Sequence, residues 1–99
     1  MDRLTFLKGE RSSARKELKN YLIMFRDDIA EECSISFPSK KEIKQYTSDE
    51  FDSWFMSIFT KLKEKISEDL VLIELIECYI CSVNNVASAE EIKTNNMYY

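Results

Sequence analysis

Ninety-nine residues, 44% of them hydrophobic and 12% aromatic, predict a single folded domain and exclude a disordered chain. The absence of histidine and the presence of only one glycine, Gly9, exclude histidine-based acid–base chemistry and any glycine-rich phosphate loop. The net charge of −4 hides an asymmetry: residues 1–26 hold seven basic groups against three acidic ones, and residues 27–99 hold seven lysines against fifteen carboxylates. Such a split fits self-association, one end against the other, while the overall acidity opposes wholesale nucleic-acid binding.

The first predicted helix covers about residues 3–32. On a wheel of roughly 100° per residue, Leu4, Leu7, Ala14, Leu18, Leu22, Phe25 and Ile29 form one apolar stripe, with Tyr21 at its edge. Lys8, Arg15, Lys19 and Arg26 flank the stripe on one side, Glu10, Glu17 and Asp28 on the other, and Arg11 falls inside it. Oppositely charged flanks also suit a coiled-coil seam with a second copy. Gly9 costs roughly 1 kcal/mol relative to alanine inside a helix, which marks the first two turns as a separable arm.

The segment Cys33–Pro38 is the clearest break. Ser39 followed by Glu42, and Thr47 followed by Glu50, have the spacing in which side chains cap backbone donors reciprocally, so helices are expected at about 40–46 and 48–66. Ser67, followed by Glu68 and Asp69, signals a further helix over about 68–84; if that signal is overridden, one helix runs from 48 to 84. Residues 85–99 read as a polar tail that frays, leaving 1–84 as the helical domain. The expected architecture is all-α, a small bundle of three to four helices with a long amphipathic N-terminal one.

Phe51, Trp54, Phe55, Ile58, Phe59, Leu62 and Ile66 share a broad face of the 48–66 helix. The 68–84 helix is apolar nearly all round, with only Glu74, Glu77 and Cys81 facing water, more surface than so short a chain covers by itself. The apolar stretch Leu70–Val83 is 14 residues long and contains two glutamates, so no membrane span is expected.

Cys33, Cys78 and Cys81 are an odd number, which does not form a disulfide framework. No secretory leader is expected, because charge arrives at Asp2, Arg3 and Lys8; a reducing, cytoplasmic setting follows. Cys78 and Cys81 have C-x-x-C spacing, but without histidine a closed four-ligand zinc site is incomplete, and both are expected as core hydrophobes. No metal, cofactor, small-molecule substrate or enzymatic constellation is expected.

The function this pattern implies is a non-enzymatic protein–protein interaction module, either self-associating as a homodimer or acting as a small adaptor or inhibitor. Leu18, Leu22, Phe25, Trp54, Phe55 and Tyr79 are its interface candidates. The alternative is a nucleic-acid-associated regulator using Lys8, Arg11, Arg15, Lys19 and Arg26.

Overall fold

The computed structural model describes residues 2–34, 36–66 and 68–96, and every regular element among them is an α-helix. In chain order these are α1 (Arg3–Met24), α2 (Arg26–Cys33), α3 (Lys40–Gln45), α4 (Ser48–Lys65) and α5 (Leu70–Asn96). Among the described residues there are five helices rather than three to four because the first predicted one is divided. At Phe25 the backbone leaves helical geometry, with φ −109° and ψ 22°. The Phe25 N–H still donates to the Tyr21 carbonyl, and its carbonyl still accepts from the Ile29 N–H, both at 3.0 Å. The rod bends rather than ends. Beyond the bend Ile29 and Cys33 turn into the core, and Arg26 donates to the carbonyls of Phe37 (2.5 Å) and Pro38 (2.8 Å), fastening the loop against the helix.

Gly9 does not set off an arm. Asp2 caps α1 by accepting from the Thr5 N–H at 2.8 Å, and the helix runs through Gly9 without interruption. Both expected caps form, but only the one at Thr47 is reciprocal: the Glu42 carboxylate accepts from the Ser39 hydroxyl at 3.4 Å rather than from its backbone N–H. The Ser39 hydroxyl accepts from the Glu42 N–H at 3.2 Å. At Thr47, the hydroxyl accepts from the Glu50 N–H (3.2 Å) while the Glu50 carboxylate accepts from the Thr47 N–H (3.0 Å). Each pair satisfies donors that a helix start leaves without intrahelical partners.

Residue 67, the expected cap of the last helix, lies outside the described residues. Asp69 caps it: its carboxylate accepts from the Leu72 N–H at 3.0 Å, and its own N–H donates to the Ile66 carbonyl at 2.9 Å. A turn therefore separates α4 from α5, and the single helix from 48 to 84 does not form. The expected helix end at 84 moves as well, since α5 continues to Asn96 and buries Val86 on the way. With that extension Leu70–Ile92 is long and apolar enough to cross a membrane by length and composition, at a mean hydropathy of 1.6. The 14-residue stretch Leu70–Val83 by itself is too short for one.

α1 and α5 lie antiparallel. Lys8 pairs with Glu90 at 3.7 Å near one end, and the Tyr21 hydroxyl donates to the Asp69 carboxylate at 2.9 Å near the other. Midway, Arg15 of α1 and Tyr79 of α5 converge on Asp52 of α4. Arg15 donates to Asp52 from Nε and Nη2, each at 2.8 Å, and the Tyr79 hydroxyl donates to Oδ1. One carboxylate thus ties three helices together.

Below this knot Leu18 and Leu22 meet Phe51, Phe55, Leu62, Leu72 and Ile76, all at 0% exposure. Burying a side chain of this size is worth about 1.5–3 kcal/mol, so this cluster dominates the folding free energy. Phe51 stacks on Phe55 with centroids 5.9 Å apart, and Tyr79 meets Phe55 edge-on at 5.3 Å. The apolar stripe of α1 thus finds its partner within the same chain.

Candidate interaction surface

The core covers only one side of α5. Leu72, Ile76, Tyr79, Ser82 and Val86 face inward, at the three- and four-residue steps of one helical stripe. Glu74, Glu77, Cys78, Cys81, Asn84 and Asn85 are exposed. Between this outer face and the first half of α1 runs a groove of about 730 Å³. Phe6, Leu7, Glu10, Ser13, Ala14 and Glu17 line it from α1, and Glu77, Cys78, Cys81, Ser82 and Asn85 from α5. Ser13, Ala14 and Ser82 contribute only small side chains to the groove. Phe6, 55% exposed, stands at its edge.

A second hollow of about 320 Å³ lies on the other side of the same α5 ridge, where Phe59 and Lys63 of α4 face Ile76, Ile80 and Asn84. Glu77, Cys81 and Asn85 border both hollows, so α5 forms a central ridge with a depression on each flank. A separate apolar patch caps one end of the molecule. Met24 and Leu70, 67% and 74% exposed, sit with Phe25 and Val71 within one helical turn of the Tyr21–Asp69 bond.

Most sequence-predicted interface candidates lie elsewhere. Leu18, Leu22, Phe55 and Tyr79 are fully buried and belong to the core of this chain. Trp54 is half-buried between Phe37 (5.2 Å, edge-on) and Tyr46 (5.7 Å), fastening the loop and the end of α3 to α4. Phe25 alone among the six keeps substantial exposure, with its ring 4.7 Å from that of Tyr21. The residues that do line the groove include Glu10 and Glu17, legible in sequence as the acidic flank of α1. Their convergence with α5 required the fold.

The basic flank is occupied. Arg15 is buried on Asp52, Lys19 donates to the Tyr46 carbonyl at 2.8 Å, Arg26 holds the loop carbonyls, and Lys8 pairs with Glu90. Arg11 lies beside Asp52 above a hollow lined by Ser53, Met56 and Val83. Its Nε is buried without a hydrogen-bond partner among the described residues. Arg15, Lys19 and Arg26 thus direct their donors into the fold.

The cysteines also depart from expectation. Cys33 is buried, and burial together with the Glu32 charge pushes its thiol pKa up against the opposing pull of Lys65. Cys78 and Cys81 are exposed rather than core, because α1 and α4 cover the opposite stripe of α5. Among the described residues no group of three or more histidine, cysteine or carboxylate side chains is placed to hold a metal ion. An aromatic disulfide reagent added to the folded protein at neutral pH should therefore modify two thiols rapidly and the third only on unfolding. Three slow thiols would return the pair to the core.

No family model matches the chain, and no curated protein and no solved structure matches it.

Proposed function

We propose that this chain is a non-enzymatic protein–protein interaction module that docks its partner in the groove between α1 and α5, in a reducing compartment. The observation carrying this reading is the groove itself, about 730 Å³ with Phe6, Leu7 and Ala14 of α1 facing Cys78 and Cys81 of α5, beside a core that is complete without it. Grooves between packed helices take an amphipathic partner helix by accepting its apolar face, and rigid walls limit the ordering cost of binding. The partner is a second copy or a foreign chain. The nucleic-acid alternative loses support, since three of its five residues, Arg15, Lys19 and Arg26, direct their donors into bonds within the fold.

Site-specific photo-crosslinking tests the proposal. A photoreactive phenylalanine derivative at Asn85, on the α5 edge of the groove, should capture a discrete partner in an extract of the native host. The same group at Lys40, on α3, should not. A product of twice the 11.7 kDa chain mass identifies a second copy. Equal capture at both positions, or at neither, removes the reading.

A further inference from the structure

We infer that the occupant of the α1/α5 groove is a cationic amphipathic helix of a foreign partner, an assignment that rests on the docking reading above and adds its chemistry. The groove extends from Phe6 to Glu17 along α1, a span of about 16 Å at 1.5 Å per residue, or three turns of a docked helix. Such a helix presents anchors at i, i+3 or i+4, and i+7 to the apolar wall formed by Leu7 and Ala14.

Every formal charge lining the groove is negative: Glu10 and Glu17 on the α1 edge, Glu77 on the α5 edge. All three are exposed, and none makes an ion pair among the described residues. Glu10 and Glu17 stand seven residues apart, about 10 Å along one edge, which matches lysines or arginines two turns apart on a docked helix. Like charges facing each other across an apolar trough disfavour an acidic ligand and favour a basic one, which gives the site its specificity.

A second copy does not meet this description. On α1, Arg15 and Lys19 are bonded to Asp52 and the Tyr46 carbonyl and Lys8 pairs with Glu90, while Arg3, Arg11 and Lys16 belong to a helix whose apolar stripe is already packed within this chain. Lys40, Lys41 and Lys44 lie on a helix of six residues, too short for three turns. Lys61, Lys63 and Lys65 belong to α4, whose apolar face is already buried in the core. Two copies, each of net charge −4, also repel.

The test uses the full chain with two fluorescent 18-residue probe peptides, one an amphipathic leucine–lysine helix and one its leucine–glutamate counterpart. Binding is followed by anisotropy at physiological salt. The lysine peptide should bind and slow alkylation of Cys78 and Cys81, and the glutamate peptide should do neither. The variant E10Q/E17Q/E77Q should weaken lysine-peptide binding about tenfold, the combined effect of three exposed ion pairs. A charge-matched variant away from the groove, E31Q/E64Q/E91Q, should change it less than twofold. Equal weakening by both triple variants, binding without thiol protection, or binding of the glutamate peptide would overturn the assignment. So would slowed alkylation on raising the concentration of the chain alone, which marks a second copy as the occupant. A partner captured at Asn85 without any affinity for the lysine peptide overturns only the cationic-helix assignment. Capture at neither photo-crosslinking position removes the docking reading as well.

Discussion

Replacing Asp52 with alanine is expected to destabilise the fold by about 3 kcal/mol, because it strands a buried guanidinium. Arg15 is only 9% exposed and directs two hydrogen bonds of 2.8 Å at the Asp52 carboxylate. Without that carboxylate the cation has no counter-charge in contact, and the Tyr79 hydroxyl loses its acceptor. Burial alone pushes the Asp52 pKa up; hydrogen bonds from Arg15 and Tyr79, with the charges of Arg15 and Arg11, outweigh it and hold the carboxyl below the usual carboxylate range. A group whose folded pKa is depressed stabilises the fold above its unfolded pKa, near 4, and that contribution is lost as pH falls through the lower folded value. Tyr79 works in the opposite sense. Burial and its bond to Asp52 raise its pKa, so its contribution is complete below about pH 10 and is lost at higher pH.

Urea unfolding at pH 7 measures the cost, and the same titration at descending pH should show the wild type losing the Asp52 contribution below about pH 4 while D52A lacks that limb. The double variant R15M/D52L should recover most of the loss, since a well-packed apolar pair replaces a buried ion pair at little cost. A D52A penalty under about 1 kcal/mol, within the range of an exposed ion pair, would mean that the knot is solvated and contributes little.

Phe55→Ala should cost about 4 kcal/mol, the largest effect of any single truncation in the chain. The ring is fully buried, flanked by Phe51 at 5.9 Å, Tyr79 at 5.3 Å and Phe59 at 6.4 Å. With Trp54 at 6.5 Å these make four aromatic neighbours, three on α4 and one on α5, which collapse poorly into the space left behind, so both transfer and cavity terms are lost. Against the 5–15 kcal/mol typical of a whole domain, this brings the protein close to its unfolding threshold. Phe6→Ala is the contrasting measurement. Phe6 is 55% exposed at the groove edge, so its loss should shift stability by less than about 0.5 kcal/mol while weakening partner capture at Asn85. Comparable urea midpoints for the two variants would overturn the division between core and docking surface.

Helix class and most helix starts were legible in the residues because they depend on neighbours within four positions. Ser39–Glu42 and Thr47–Glu50 close their caps within one turn, and no distant contact overrides them. The charged flanks of α1 were legible for the same reason: periodicity alone sorts a helix into faces. The oversupply of apolar surface over residues 68–84 was legible too, and Leu70 and Val71 remain exposed.

Which side of each helix faces inward was a tertiary decision. A helix apolar nearly all round has no preferred buried stripe of its own. The positions of α1 and α4 selected Leu72, Ile76 and Tyr79 and left Cys78 and Cys81 outside. The bend at Phe25 accompanies Arg26 reaching carbonyls eleven and twelve residues away, and the burial of Arg15 depends on a carboxylate thirty-seven residues away. The continuation of α5 past residue 84, through a run that holds three asparagines, goes with burial of Val86 and the pairing of Lys8 with Glu90. The residues by themselves determined where helices begin and how amphipathic each is, because those are local free energies. The core, the polar knot and the acidic groove arose only from packing, because their partners are separated by tens of residues, and no local pattern records which distant side chain satisfies a charge or covers an apolar face.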